Sequence, residues 1–386
     1  MKTLRLFLPL AIVVLVTLGI GSTLASQAPT EPSSSGLSRA RVIAILEEGT
    51  ADLGDRLQPY QVFQIEIEDG AYAGSRFVVE NGRRQVTIGE SAVAPGSPVL
   101  VTISTAPDGR VEAFFADFVR IGPLAGLLLL FVASILIVSR GKGLRALIGM
   151  VISLAIIGGF ILPAILAGAN PVLVSILGCF VLMSSTFYLI HGWTLKAHTA
   201  AVATLAALAL TGILAAVSVD AARLTGMGSE EALFLTQFAG AAVDVRGLLL
   251  ASILIGALGV LDDLTINQIS AVFELRQAKP DLPRGSLYRR AMAIGQDHIA
   301  ATVNTLVLAY VGASLPLLLL FSLFQEPILA ALNRAVIAEE ILRTLVGSIG
   351  LVAAVPIATA LAATVQQHRA RLPGWLGPEM QDVDRD

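Results

Sequence analysis

Charge is what this sequence has least of. Only 14% of its 386 residues are Asp, Glu, Lys or Arg while 55% are hydrophobic, against about 25% charged in soluble domains. A wholly soluble protein is therefore excluded. The net charge of −3 is too small to suggest a nucleic-acid partner. The one cysteine, Cys179, sits in an apolar run, which rules out a disulfide framework and a thiolate metal cage. The four histidines (His191, His198, His298 and His368) show no H-E-x-x-H or comparable metal spacing. There is no G-x-x-x-x-G-K-[ST] phosphate loop and no visible nucleophile–base pair. These absences predict a protein that is not an enzyme and carries no metal or cofactor, with any energy drawn from an ion gradient or a partner.

What the chain has instead is long apolar runs. Lys2 and Arg5 precede an uncharged run from Leu6 to Leu24, followed by Ala25. Small residues at Thr23 and Ala25 fit a cleaved signal, but a run close to the roughly 20 residues of a span favours an uncleaved anchor. Residues 27–40 form a Pro/Ser/Gly linker. From Arg41 to Asp117 the stretches RVIAIL, YQVFQIEIEDG, SRFVVENG, RQVTIGE and PVLVTIS read as short strands between Asp-Gly, Asn-Gly and Pro-Gly turns. They predict a small barrel or sandwich, OB-like in the first case.

Seven apolar segments follow, near 121–138, 146–168, 171–190, 199–219, 247–266, 299–323 and 344–364. Residues 232–243 are too few to span. With the N-terminus inside, fourteen basic residues fall on inner segments and four on short outer loops, the bias expected of cytoplasmic loops. The fold class that results is mainly α. It is a polytopic transmembrane bundle of about eight spans, with both termini cytoplasmic and a small extracytoplasmic β domain between spans 1 and 2. The divisions are 1–25 (anchor or signal), 26–118 (β domain with its linker) and 119–386 (bundle and cytoplasmic tail).

The polar chemistry concentrates between Gly247 and Tyr310. Asp263, Asn267, Ser270 and Glu274 recur at i, i+4, i+7 and i+11, one stripe of a helix. Asp297, Ala301, Asn304 and Thr305 form a comparable stripe on the next helix. A charge at the centre of a spanning helix costs roughly 2.5–3.5 kcal/mol on insertion scales, so something must compensate it. Two facing carboxylates with amide and hydroxyl neighbours can hold one proton or a small cation, because both cannot ionise a few ångströms apart. The plainer reading makes these acids helix-end residues in the headgroup zone, paired with Arg276, Arg289 or Arg290. Asp262 fits that reading, and His298 reads as an interfacial side chain. Gly256 and Gly259 read as small residues for close packing, and Gly158-Gly159 as a helix bend.

GALGVLDDLTINQISAVFEL, followed by AIGQDHIAATVNTLVLAYVG, resembles the YibE/F family of bacterial membrane proteins. The resemblance covers most of 41–364 and is strongest over 250–313. Gly256, Gly259, Asp263, Glu274, Gly295, Asp297, Asn304 and Thr305 fall on the family pattern, whereas Asp262 stands where members carry an apolar residue. The resemblance implies an N-terminal hydrophobic segment, a small extracytoplasmic domain, a multi-spanning region and the bacterial inner membrane, but no settled activity. A looser similarity to SecD/SecF and RND-type permeases covers about 60 residues and points to proton coupling.

Two functions stay open. One is a permease-like protein coupled to protons or cations through Asp263 and Asp297, with Asn267, Asn304, Thr305 and Glu274 around them. The other is a non-transporting scaffold, whose partners are the lipid bilayer and a protein docked on the extracytoplasmic domain.

Overall fold

The computed structural model describes residues 37–52, 57–83, 92–105, 109–239, 243–323 and 327–379. The expected anchor at 1–25 and the strand expected at RQVTIGE lie outside them. The chain divides into two compact units, one spanning Pro29–Ile137 and the other containing Val138–Asp386.

The first unit holds one five-stranded antiparallel sheet: β1 (Leu37–Asp52), β2 (Leu57–Ile67), β3 (Arg76–Asn81), β4 (Pro98–Thr105) and β5 (Val111–Phe118), in the order β3-β2-β1-β4-β5. Alternation builds its core. Phe63, Ile65 and Ile67 on β2, and Val99, Val101 and Ile103 on β4, are buried at every second position. The start of β1 pairs with β4, and its whole length from Ala40 pairs with β2. Register shifts between Val42 and Ala44 and between Ile45 and Glu47 are the bulges that bend a strand and tighten its twist. The sheet curls as a result. The edge strands β3 and β5 meet, and Phe63 packs edge-on against Phe115 with ring centroids 6.2 Å apart. One sheet folded on itself is a half-barrel, not a sandwich. The strand β5 was not anticipated, because its consecutive Phe114 and Phe115 and the following Asp117 break the alternation. At its end, Arg120 donates to Asp117 at 2.7 Å, and that contact with the Phe118 amide holds the carboxyl below the usual Asp range.

The second unit is helical, and among the described residues the chain is mainly α. Its elements are α1 (Ile121–Ile156, which begins in the first unit), α2 (Leu162–Leu166), α3 (Pro171–His191), α4 (Leu195–Ala221), α5 (Glu230–Ala239), α6 (Val245–Ala278), α7 (Arg284–Ala313), α8 (Leu315–Leu323), α9 (Ile328–Leu332) and α10 (Ala335–Gln367). Five runs are long and apolar enough to cross a membrane, or six if α7 and α8, bent by 60°, count as one span. The chain is thus a membrane protein. The expected count of eight differs from this one because the first run lies outside the described residues, and 121–138 and 146–168 form one 46-residue run, Ile121–Leu166. That run breaks at Arg140, whose φ of 45° is left-handed. Gly158 and Gly159 sit in a π-helical turn, Ile157–Ile161. The short segment 232–243 overlaps α5, which is ten residues long.

Polar caps set where the helices start. Asn170 accepts from the amides of Val172 and Leu173, Thr194 from Ala197 and Asp244 from Gly247, each satisfying amides that a first turn leaves free. The amides of Leu195 and Lys196 are met by the carbonyls of Pro378 and Glu379, so residues after α10 return to close the start of α4.

Helices α4, α6 and α10 pack against one another, with α3 beside α4 and α6, and α7 beside α6 and α10. The seam is built of small residues: Ala200, Ala203 and Ala207 on α4, Ala251 and Ala257 on α6, and Ala354, Ala358 and Ala362 on α10 are buried. Apolar side chains gain little from leaving lipid for another helix, so close backbone approach and interhelical hydrogen bonds carry such packing. The buried Thr204 and Thr265 hydroxyls lie 2.5 Å apart. Because Thr265 donates to the Leu261 carbonyl at 2.7 Å, Thr204 is the donor between them.

Phe63 is fully buried. Phe63→Ala is expected to destabilise the β domain by about 3–5 kcal/mol, whereas Phe114→Ala, on the exposed side, changes little. Circular dichroism melts of residues 37–118 expressed alone check this, the parent giving a β spectrum.

Candidate functional site

Asp262 and Asp263 stand near the middle of α6, and that position decides what they need. Arg246 and Arg276 mark the nearest cations along the chain. Asp263 is about 25 Å of helix from the first and about 20 Å from the second at 1.5 Å per residue. Both acids thus stand well inside α6 rather than at either of its ends.

Helical geometry sorts α6 into faces. Thr265 points to α4 through Thr204. Gln268, 3% exposed, donates its Nε2 to the Ala291 carbonyl on α7 at 2.9 Å and to the Thr359 hydroxyl on α10 at 2.7 Å. Gly256, Gly259, Asp263, Asn267 and Glu274 are all exposed. At about 100° per residue they form one strip on the side away from α4, with α3 and α7 to either side. Within it the Asn267 Nδ2 donates to Asp263 Oδ1 at 2.9 Å. Ser270, half-buried, donates to the Ile266 carbonyl at 2.6 Å. The strip is thus polar in its lower half and glycine in its upper half.

Asp262, about 100° away on the helix, is half-buried. Its Oδ1 is buried and meets no hydrogen-bond donor among the described residues. The sequence reading of Asp262 as a helix-end residue did not anticipate this enclosed oxygen. The signal available was its angular offset from Asp263, which turns it from the open strip towards α3.

On α7, Leu287, Ala291 and Gly295 are buried against the bundle. A Cβ at Gly295 would lie 2.5 Å from Val355 Cγ1 and 2.9 Å from Gln268 Oε1, so glycine there allows α6, α7 and α10 to meet. Asp297, two residues on, is about 200° round the helix from that contact. Asp297, Ala301, Asn304 and Thr305 are all exposed, and Thr305 donates to the Ala301 carbonyl at 3.0 Å. Depths follow from two contacts: Gln268 meets Ala291, and a Cβ at Gly256 would lie 3.7 Å from the Tyr310 hydroxyl. Since the helices are antiparallel, Asp263 lies level with about residue 299, within about a turn of Asp297. The structure brings Asp263 and Asn267 together. It puts Asp297 and Asn304 on the far side of α7, with Thr305 exposed nearer the Leu287 line of that helix.

Among the described residues no group of three or more His, Cys, Asp or Glu could hold a metal ion. An apolar cleft of about 270 Å³ lies between α7, α8 and α10, lined by Tyr310, Leu318 and Ile341 among others. A more polar one of about 510 Å³ on the β domain is lined by Glu48, Tyr60, Gln61 and Asn81 among others. Neither is lined by these acids. In the second, Tyr60 donates to Glu47 at 2.6 Å, and the hydrogen bond raises the phenol above its usual range.

The model of one family, described as YibE/F-like protein, matches residues 127–368. No curated protein and no solved structure matches the chain, so the similarity to SecD/SecF and RND-type permeases is not shown.

Gln268 was outside the expected stripe, yet it joins three helices. Gln268→Leu leaves the Thr359 hydroxyl and the second lone pair of the Ala291 carbonyl without this donor, at an expected cost of about 1–3 kcal/mol. Asn267→Leu, on the open strip, costs less. Thermal unfolding of the purified variants in detergent measures the difference, and equal melting temperatures would contradict the assignment.

Proposed function

The chain belongs to the YibE/F-like family, and on that premise we propose that it is a permease-like integral membrane protein coupled to protons or small cations through the α6 acids. One observation carries this reading. Asp263, an ionisable group near the middle of α6, opens onto the outer strip with the neutral Asn267 bonded to it, while its neighbour Asp262 turns inward. Adjacent carboxyls, one open and one enclosed, can pass a proton or hold a cation between the surface of the bundle and its interior. Ionisable groups within spans mark such paths more often than they serve packing. Asp297, with Asn304 and Thr305, forms a second polar station at similar depth, and Glu274 continues the α6 strip towards Arg276.

The membrane is the bacterial inner membrane, with both termini cytoplasmic. Arg140, flanked by Lys142 and Arg145, marks an inner turn that divides Ile121–Leu166 into two spans. Together with α3, α4, α6, the α7–α8 pair and α10 these make seven, and the apolar run before the β domain makes eight. A reporter fused after Arg284 is expected to read as cytoplasmic and one after Gly82 as extracytoplasmic. The reverse at Arg284 would overturn the orientation.

The scaffold reading has its own support in the tight α4–α6–α10 seam and the polar cleft on the β domain, where a partner protein could dock. Proton flux separates the two. In proteoliposomes with an internal pH dye and an imposed gradient, Asp263→Asn is expected to cut flux by about a hundredfold or more, the scale of a lost proton-transfer group. Asp263→Glu should restore part of it. Equal flux in wild type, Asp263→Asn and Asp297→Asn at matched protein levels would leave the scaffold ahead.

A further inference from the structure

Basic side chains from three helices gather where α3 turns into α4. His191 closes α3 and Lys196 lies in the first turn of α4, both half-buried. A Cβ at Gly149 on α1 would lie 3.7 Å from Leu189 Cδ2, and one at Gly178 on α3 would lie 2.5 Å from Ile161 Cδ1. These two contacts set the stretch from Gly149 to Ile161 antiparallel to α3. Lys142, exposed and two turns before Gly149, therefore stands at the same end of the bundle as His191. Both lysines act electrostatically on the His191 ring. Glu274 acts on Lys196 from the end of the α6 strip, but among the described residues neither lysine side chain forms an ion pair. One carboxylate against two lysines leaves this end positive.

We propose that this cluster is the docking site of the chain's own acidic segment 380–386. That segment reads MQDVDRD, with Asp382, Asp384 and Asp386 against the single Arg385, a charge opposite to that of the two lysines. Its point of departure is fixed at the cluster. The Lys196 amide donates to the Glu379 carbonyl at 3.2 Å and the Leu195 amide to the Pro378 carbonyl at 2.9 Å. Trp193 Nε1 donates to the Trp375 carbonyl at 3.0 Å. Gly377 has a φ of 79°, and a Cβ there would collide with the Trp193 carbonyl, so glycine permits this close approach. Residues 374–379 thus deliver the next residue beside Lys196. Extended chain covers about 3.3–3.6 Å per residue, which puts Asp382 within about 10 Å of Glu379 and Asp384 within about 17 Å. Those reaches cross one or two helix spacings of about 8–10 Å, enough to meet Lys142 on α1. Within the helical unit, the other stretches outside the described residues supply no comparable anion. Residues 1–28 and 240–242 hold no Asp or Glu, and Glu326 precedes α10, about 50 Å of helix from the end that carries the tail. Docked in this way, the tail lies across the α3–α4 turn and shares Lys196 with Glu274.

Zero-length coupling of carboxyls to amines by a carbodiimide, applied to the full chain in native membranes, tests this with no dependence on transport. The coupled peptides are identified by mass spectrometry. Asp382 or Asp384 is expected to couple to Lys142 as well as to Lys196, and not to Lys279, which is exposed between α6 and α7. Lys142 is the decisive partner, because Lys196 adjoins Glu379 in any case. Salt at about 1 M, where the screening length is about 3 Å, is expected to lower the Lys142 yield several-fold. No coupling of the tail to Lys142, equal coupling to Lys279, or a Lys142 yield indifferent to salt would overturn the proposal. So would an anionic phospholipid that co-purifies with the protein and is lost in Lys142→Gln while the tail stays uncoupled.

Discussion

A carboxylate halfway along a spanning helix has to be met by something other than lipid, and the second unit is arranged around that demand. Helix α6 gives one face to the alanine-lined seam with α4 and α10, and uses Thr265 and Gln268 to bond across it. The opposite face is left for Asp263 and Asn267. Inward polar groups of α6 other than Asp262 thus find protein partners, whereas outward ones stay open on the strip. That division leaves α6 tight behind and polar in front. Asp262 sits at its boundary, with one oxygen buried and unbonded.

The glycines serve the same geometry in two ways. Gly295 brings Gln268 and Val355 onto α7 at distances no side chain would allow. Gly259 has nothing within 4 Å of where its Cβ would stand and keeps the strip open above Asp263. On α7 the pattern repeats with a buried small-residue side and an exposed polar side, the two about half a turn apart. Among the described residues two neighbouring helices thus each present an exposed polar face.

Much of this was legible in the chain. The spans from 171 onwards, the β domain and the polar stripes follow from hydropathy and from periods of two and 3.6, which are local. The direction of each stripe was not legible, because a period says which residues share a face but not what the face meets. Asp263 and Asp297 were therefore read as facing each other, while the contact at Gly295 turns Asp297 away. Gln268 was invisible as a hub for the same reason, its partners lying 23 and 91 positions away. In the sheet, β5 was missed where adjacent phenylalanines hide the alternation. The half-barrel, as against a sandwich, depends on bulges in β1 that leave little mark on composition.

The account stands on the claim that the α6 and α7 strips do not face lipid, although both are exposed among the described residues. Spin labels at Asn267 and Asn304 in reconstituted membranes, compared with one at the exposed Leu210 of α4, report this through their collisions with oxygen and with a water-soluble nickel chelate. The account predicts weak oxygen contact at both strip positions, with chelate access at Asn267. Oxygen-dominated relaxation at both sites, matching Leu210, would contradict it.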